Sequence, residues 1–452
     1  MKDKKILFIS ANKHIDPYPV YPIGLSYLTT FLKEELPDYE ILILDLNFIS
    51  IDELKLKIND FNPRYIGVSF RNIDDVNSVN RFYFVNHYKN IIHQIRSVTN
   101  AKIIIGGSGF SIFPELMFNT LKPDFGIYGE GEETILKLIK NIDNNEDYTG
   151  LSRLIYPKNG QCVFNKHESY FSDLALDFDE NLIDYYWEKS GMLNVQTKRG
   201  CPYNCIYCTY PLIEGKKVRT LNTDKIVDTL KNLYYQKGID YVFFTDSVFN
   251  INNQYNIELA EKIIASGIKI HWGGYFTFKN LDTDLLKILK KSGLKHIEFG
   301  TEALSDITLK AYGKNFTVND VIEKSALCNQ LEIDYAHFLI FGGYGETDQT
   351  INETFENSKK IENSVFFTFV GMRIYPGTKL QEYAIKEGVI DKNDDLLEPK
   401  YYLSKNVDYE SLKQKANRTG RRWVFPDEDT TIISNRLRAR NKKGPLWEYM
   451  II

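Results

Sequence analysis

Three cysteines lie close together in the chain, as Cys201, Cys205 and Cys208 in a Cys-x3-Cys-x2-Cys spacing. The run 192–197 before them is typical of a strand, so the cysteines are predicted to lie on a loop at a strand end. Three thiolates on one short loop suit an iron–sulfur cluster. Because a cubane cluster has four irons, three cysteine ligands leave one iron open to bind a small molecule.

Two other uses of these cysteines are a zinc site and a disulfide bond. Zinc would normally require a fourth cysteine or histidine nearby, and the next cysteine along the chain, Cys162, lies far upstream. A disulfide is disfavoured because the sequence begins without the pattern of a secretory signal. The cluster is therefore the predicted centre of the chemistry, and a cytoplasmic location is expected.

The composition of the 452 residues is ordinary for a globular protein, with 43% hydrophobic and 26% charged residues. The formal net charge is −4, and both signs are mixed along the chain, which argues against a nucleic-acid surface. No apolar run approaches the roughly 18–20 residues that a membrane span needs.

The elements that must position the cysteines form two α/β units. Residues 1–145 alternate short apolar strands with helices, which predicts a parallel sheet covered on both faces in a Rossmann-like domain. Residues 146–190 lose this pattern and are interpreted as a linker containing a hairpin at 158–160. Strands and helices alternate again over 191–390, predicting six βα units of a partial (β/α)6 barrel whose active site faces the carboxyl ends of its strands. Residues 391–452 are predicted to be a mainly helical extension.

The cysteine spacing, with the aromatic Tyr207 just before the third cysteine, resembles the radical S-adenosylmethionine (SAM) superfamily. That resemblance implies that the open iron of a 4Fe-4S cluster chelates the methionine end of SAM. An electron then cleaves SAM to a 5′-deoxyadenosyl radical, which abstracts a hydrogen atom from the substrate. An electron donor such as flavodoxin or ferredoxin is expected.

Several strand-end residues are assigned by the same resemblance. Tyr207 lies in the aromatic position beside the cluster, near adenine, and Glu302 is expected to accept hydrogen bonds from the ribose hydroxyls. Asp246 and Ser247 occupy the second-strand position that contacts the SAM amino group. Ile340 and Gly342 match the adenine-support motif. Arg373 is either a contact for an anionic group, on the substrate or on SAM, or a structural arginine.

The first unit resembles the cobalamin-binding domain that precedes many radical SAM barrels. The resemblance rests on the stretches 22–28, 106–110 and 128–132. Ligands of such sheets bind at the carboxyl ends of the strands. The predicted cobalamin contacts are therefore Asn12, Ser69, Arg71, Asn72, Gly106, Gly107, Ser108, Gly129 and Glu130.

The Asp-x-His-x-x-Gly pattern that marks a histidine ligand below cobalt is incomplete in this chain. Residues 12–17 occupy the corresponding position in this chain. They include His14 but lack the aspartate and the glycine of the pattern. His14 is therefore either a lower ligand or a solvated loop histidine.

The predicted function is that of a cobalamin-dependent radical SAM enzyme that methylates a poorly activated carbon of a small-molecule or lipid-like substrate. The C-terminal extension resembles a lipid-biosynthesis subfamily. One alternative keeps the same cofactors for a rearrangement or cyclisation without methyl transfer. Another, from a different class, is a non-catalytic iron–sulfur sensor or electron carrier. A methylthiotransferase is disfavoured because residues 1–150 contain no second cysteine trio.

Overall fold

A computed structural model describes residues 4–79, 81–166, 174–405 and 407–451. Residues 167–173, inside the predicted linker, lie outside this description. The mixed α/β architecture predicted from the sequence is confirmed, with an N-terminal parallel sheet followed by a barrel-like sheet.

The N-terminal sheet has seven strands in the order β2-β1-β3-β4-β5-β6-β7. Strands β1 to β5 are parallel, and the hairpin β6–β7 adds to the edge in antiparallel fashion. The strands are β1 (Lys5–Ser10), β2 (Glu40–Asp45), β3 (Tyr65–Ser69), β4 (Lys102–Gly106), β5 (Phe125–Ile127), β6 (Leu154–Lys158) and β7 (Gln161–Phe164). The structure therefore contains the predicted hairpin, which extends the first sheet.

The first five helices of this region connect successive parallel strands, as crossover connections require, and the sixth leads to the antiparallel hairpin. They are α1 (Ile23–Glu35), α2 (Ile51–Phe61), α3 (Val85–Arg96), α4 (Ser108–Ile112), α5 (Pro114–Leu121) and α6 (Glu132–Asn144), with α7 (Glu180–Ser190) leading into the second sheet.

The second sheet also has seven strands, in the order β18-β15-β14-β13-β12-β11-β8, and all its neighbours are parallel. Two short ribbons, β9–β10 and β16–β17, accompany it. The strands are β8 (Leu193–Val195), β9 (Lys198–Arg199), β10 (Arg219–Thr220), β11 (Tyr241–Phe244), β12 (His271–Phe276), β13 (Leu294–Glu302), β14 (Asp334–Phe341), β15 (Ser364–Val370), β16 (Met372–Arg373), β17 (Tyr401–Tyr402) and β18 (Arg422–Val424).

The helices of the barrel begin at recognisable caps. Asn222, for example, accepts hydrogen bonds from the N–H groups of Asp224 and Lys225, as its position before a helix predicts. The helices are α8 (Tyr210–Ile213), α9 (Thr223–Lys237), α10 (Asn253–Ser266), α11 (Thr283–Lys291), α12 (Asp306–Ala311), α13 (Val318–Gln330), α14 (Asp348–Ser358), α15 (Lys379–Lys386), α16 (Tyr409–Asn417) and α17 (Thr431–Ala439).

The C-terminal extension is less helical than predicted. Its strand β18 pairs in parallel with β15 and adds a seventh strand to the six predicted from the βα pattern. Trp423, at the centre of β18, is buried against Phe366 and Phe355. A three-residue strand carries too little periodicity to be seen in the sequence, and only its packing against β15 forms it.

Side chains alternate across the barrel strands, as the period of two requires. On β13 and β14 the residues Ile297, Phe299, Tyr335 and Leu339 belong to the large core between strands and helices. Residues on the opposite face of these strands, such as Glu298, Ala336 and Phe338, point into the barrel interior, here called the lumen. None of the described helices is both long and apolar enough to cross a membrane.

Candidate functional site

The three cysteines lie on the loop between the short strands β9 and β10. Gly200 precedes the first cysteine with a φ of +91°, and a Cβ there would lie 2.2 Å from the carbonyl oxygen of Lys217. Only glycine fits this position without strain. The N–H of Cys201 donates to Gly215 at 3.0 Å, which closes the base of the loop.

The three thiols lie near enough to influence each other's ionisation. The pKa of Cys208 is raised to about 12, chiefly by burial and also by the neighbouring Cys205 and Cys201. Burial likewise raises the pKa of Cys201. All three are free cysteines, so a bound cation would be needed to hold them as thiolates.

This donor set fits a cubane cluster better than a single ion. Among the described residues, no trio of histidine, cysteine, aspartate or glutamate converges on one metal position. In a cubane, each cysteine binds a different iron, so the thiols stand around the cluster at separate corners. A loop with three thiols, and no fourth ligand among the described residues, therefore fits the predicted 4Fe-4S cluster.

Tyr207 and Glu302, both assigned to SAM by resemblance, meet in the structure. The Tyr207 hydroxyl donates to Oε1 of Glu302 at 2.6 Å, and Lys314 Nζ donates to the same oxygen at 2.8 Å. Glu302 has a φ of +63°, an unusual left-handed conformation at the carboxyl end of β13. The tertiary structure thus brings two predicted residues together at the cysteine loop.

Lys314 was not predicted from the sequence. It is buried, and its pKa is raised despite burial because Glu302, Cys205 and Cys208 surround it. A single lysine in the loop after α12 forms part of no sequence pattern, so only the fold could reveal this position.

Asp246 and Ser247 follow β11, as predicted, and support the cysteine loop. Asp246 is fully buried and accepts hydrogen bonds from the N–H groups of Thr197 and Lys198 at 2.7 and 3.0 Å, and from Lys198 Nζ at 2.7 Å. The Ser247 hydroxyl donates to the carbonyl of Gly200 at 3.1 Å. Both carboxylate oxygens of Asp246 thus accept hydrogen bonds from the chain itself. This geometry does not favour a contact with the SAM amino group, which stays a prediction.

Ile340 and Gly342 lie at the carboxyl end of β14, next to the cysteine loop. The Tyr312 hydroxyl donates to the carbonyl of Ile340 at 3.2 Å, and the Tyr312 carbonyl accepts from the N–H of Ile206 at 3.1 Å. The N–H of Gly342 donates to Glu346, whose pKa burial raises to about 8. Glu346 is therefore a neutral buried carboxyl group at moderate pH.

Arg373 has its donors occupied within the protein, which supports the structural alternative. Its Nε donates to Asp74 at 2.9 Å, and its other nitrogens donate to the carbonyls of Ile374 and Leu396 at 2.6 and 2.9 Å. Arg373 and Asp74 are both buried. Because Asp74 belongs to the N-terminal region, this pair joins the two sheets.

A second group of buried charges, here called the interdomain network, joins the sheets near the cysteines. Arg199 donates to Glu132 at 2.8 Å, and Arg219 pairs with Glu130 at 2.6 Å. Burial opposes the charge of Glu132, yet Arg199 holds the pKa of that carboxyl below its usual value. Glu130, predicted to contact cobalamin, is therefore paired with arginines on the two strands that flank the cysteine loop. A contact with cobalamin would be made in addition to these pairs.

The remaining predicted cobalamin contacts gather at the carboxyl ends of β1, β3, β4 and β5. The N–H of Phe70 donates to Gly106 at 2.9 Å, and the Ser108 hydroxyl donates to the carbonyl of Arg71 at 3.0 Å. The Ser69 carbonyl accepts from the N–H of Ala11 at 3.2 Å.

The two predicted glycine contacts lie close to neighbouring groups. Gly107 has a φ of +99°, and a Cβ there would lie 2.6 Å from the Phe70 carbonyl oxygen. The N–H of Gly129 is bound by Ser111 at 2.7 Å.

Two orphaned polar atoms show that this surface fits an amide-rich ligand. The side-chain oxygens of Asn12 and Asn72 are buried without a hydrogen-bond partner among the described residues. A buried carbonyl oxygen without a donor is costly, and the amide side chains of a corrinoid are suitable donors. His14 is half-buried rather than solvated, with its ring 6.0 Å from that of Phe84, and its role toward cobalt stays open.

Tyr18 and Arg71 of the N-terminal region lie close to Tyr210 and Tyr275 of the barrel, and the space that these four residues border is here called the central chamber. Tyr210 and Tyr275 are each 39% exposed, yet burial raises the pKa of both hydroxyls. Burial also lowers the pKa of the exposed Arg71, whose neighbours include both tyrosines and Tyr18. Surface that is accessible but surrounded by protein belongs to an internal space, so these residues face a chamber and not bulk solvent.

Comparison with known proteins agrees with both units. Residues 195–357 match the radical SAM superfamily, and residues 16–139 match the B12 binding domain. An uncharacterised methyltransferase, PH0819 of Pyrococcus horikoshii, is 27% identical over 86% of this chain and 85% of its own length. The anaerobic magnesium-protoporphyrin IX monomethyl ester cyclase of Cereibacter sphaeroides is 25% identical over 78% of this chain and 59% of its own.

A solved structure shares the fold over nearly the whole chain. It is the radical SAM methyltransferase TsrM from Kitasatospora setae with tryptophan and a SAM analogue bound. Its TM-score is 0.87 at 21% identity, covering 99% of this chain and 97% of that one.

Proposed function

Because this chain belongs to the cobalamin-dependent radical SAM family, we propose that it transfers a methyl group to a poorly activated carbon of a small molecule. The radical SAM domain implies a 4Fe-4S cluster and SAM, and the B12 binding domain implies cobalamin. The observation that supports the proposal is the ion pairing of Arg199 and Arg219, on the strands that flank the cysteine loop, with Glu132 and Glu130 at the end of the N-terminal sheet.

When bound, the cluster and SAM supply radical chemistry and cobalamin supplies a carrier for the methyl group. The chain's own residues position and enclose these groups. Cys201, Cys205 and Cys208 would hold the cluster, and Lys314 balances the negative charge of the thiolates and Glu302. Asn12 and Asn72 would receive hydrogen bonds from cobalamin, and the interdomain network keeps both surfaces facing the same space.

The aromatic walls of the chamber suit radical chemistry because they keep water away from the reacting carbon. No described side chain is assigned as a general acid or base. Cytoplasmic location and reduction by a flavodoxin or ferredoxin are further parts of the proposal. The location follows from the oxygen sensitivity expected of an open cluster, and the donor from the electron that SAM cleavage requires.

The test is an anaerobic preparation with iron and sulfide restored. Corrinoid absorbance should accompany the absorbance of a 4Fe-4S cluster. With SAM carrying a deuterated methyl group, a strong reductant and candidate small molecules, the label should appear in a product. A preparation that binds no corrinoid, or whose product never carries the label, would contradict methyl transfer.

A rearrangement or cyclisation is the second candidate, favoured by the similarity to the cyclase of Cereibacter sphaeroides. The same experiment separates the two. A cyclase would form product and 5′-deoxyadenosine without moving the deuterated methyl group. A sensor or electron carrier would form neither under strong reductant.

A further inference from the structure

Glu298 is a buried carboxyl group of the barrel that has no ion pair among the described residues. It lies on the lumen face of β13 and is only 5% exposed. The Trp447 indole N–H donates to its Oε1 at 3.0 Å. None of the described residues donates to its other oxygen, Oε2, and burial raises the pKa of this carboxyl.

The surroundings of Glu298 direct this free oxygen toward the chamber. Tyr275 is its direct partner in register on the adjacent strand β12, so the two side chains share the lumen face. Tyr275 is 39% exposed and lines the chamber, and its ring meets that of Phe243 edge-on at 4.9 Å. A carboxylate beside two aromatic rings is a site that suits an organic cation.

The C-terminal segment closes the lumen behind Glu298. Trp447 packs with Ala336, Val365 and Val424 at the amino-terminal end of the barrel. Its neighbour Glu448 lies 3.0 Å from Nδ1 of His296. Within the described part of the chain, Trp447 and Glu448 therefore cover Glu298 from this end.

Glu298 also lies at a suitable distance from the SAM side. Along β13, Gly300 follows it on the same face, and the strand then bulges before Glu302. The Glu302 carboxylate reaches back over Gly300, where a Cβ would lie 3.2 Å from Oε1 of Glu302. A small molecule held by Glu298 would therefore lie near the carboxylate that is assigned to SAM.

We propose that Glu298 and Tyr275 bind a protonated amine of the substrate, which makes the substrate a small organic ammonium ion with its reacting carbon toward the SAM side. This assignment rests on the proposed function and adds its substrate class. The ammonium N–H donates to Glu298 Oε2 and supplies the positive charge that the buried carboxylate lacks. The ring of Tyr275 contributes a cation–π contact.

The experiment compares two probes of equal length and opposite charge, phenethylammonium and 3-phenylpropionate. Their affinities are measured by calorimetry on the anaerobic, cluster-loaded full chain. We expect the ammonium probe to bind at least about tenfold more tightly than the carboxylate. Equal binding of the two probes, tighter binding of the carboxylate, or no binding of the ammonium at millimolar concentration would overturn the proposal.

Variants test which residues cause the preference for the ammonium probe. Glu298→Gln should remove it, Glu298→Asp should retain part of it, and Tyr275→Leu should weaken ammonium binding several-fold. Glu261→Gln, on the exposed side of α10, is the matched control and should leave the preference unchanged. If Glu298→Gln does not fold, the other two variants decide. An unchanged preference in the variants of Glu298 that fold, or in Tyr275→Leu, would count against the site.

The two proposals can fail separately. Probe binding requires neither corrinoid nor methyl transfer. A protein that prefers the ammonium probe but never moves a labelled methyl group would contradict the proposed function alone. One that transfers methyl groups but binds both probes equally would contradict the substrate class alone.

Discussion

The interdomain network and the central chamber hold charges in two different settings. In the network, Arg199 faces Glu132 at 2.8 Å and every charge has a partner. In the chamber, Arg71 and Glu298 form no ion pair among the described residues. Paired charges hold two sheets in place, whereas a charge left unpaired in a chamber is suited to a ligand. The comparison therefore separates positioning residues from binding residues, and it can be tested by removing one charge at a time.

The largest effect is expected from Arg199→Met. This substitution leaves Glu132 buried without its partner and should lower the free energy of unfolding by about 3–5 kcal/mol. Urea denaturation at neutral pH measures the change. The matched control is Lys237→Met, which removes an exposed pair with Glu180 and should matter far less. A small loss in Arg199→Met would show that the network does not hold the sheets together.

Glu346 should make stability depend on pH, because it is buried without a charged partner. Its folded pKa of about 8 lies above the ordinary value of 4.5, so the folded chain binds the extra proton between these two pH values. Stability should therefore fall as pH rises through this window, by a few kcal/mol on the scale of about 1.4 kcal/mol per pKa unit.

The measurement compares urea denaturation of the wild type and Glu346→Gln at about pH 6 and about pH 8. Glu346→Gln cannot ionise and should lose much less stability between the two. Parallel pH profiles in both proteins would mean that Glu346 is ionised in the folded state.

Lys314→Met tests a paired charge beside the cysteine loop. Its loss leaves Glu302 and the cluster thiolates without a nearby cation, and SAM binding should weaken by about tenfold. Equilibrium dialysis with the cluster-loaded protein measures this affinity, alongside the iron content. Lys310→Met, on the exposed face of α12, should behave as the wild type. Unchanged SAM affinity in Lys314→Met would remove Lys314 from the site.

The smallest effect on stability is expected from Arg71→Met. Because Arg71 has no ion pair in the described chain, its removal should change the free energy of unfolding by less than about 1 kcal/mol, in contrast to Arg199→Met. The corrinoid content of the purified protein should nevertheless fall if Arg71 contacts cobalamin. A large loss of stability with full corrinoid content would reverse the distinction drawn between network and chamber.

Local sequence patterns predicted much of the fold and part of the site. The alternation of apolar strands and helices identified both sheets, and the spacing of the three cysteines identified their loop. Tyr207 and Glu302 were assigned separately by resemblance, and the structure joins them at 2.6 Å. Lys314 and Glu298 could not be predicted, because each is a single charged residue whose neighbours are distant in sequence.

The sequence by itself determined the composition of the cysteine loop, the order of the strands along the chain and the glycines that permit close turns. These are local properties, set by backbone conformation and by the spacing of side chains over a few residues. The tertiary structure alone decided which charges are paired. Arg199 and Glu132 lie 67 positions apart in the sequence and form an ion pair. Glu298 faces the chamber and is hydrogen-bonded by Trp447, which lies near the C-terminal end of the described residues. Burial makes a charge depend on its partner, and partners across such separations are brought together only by folding.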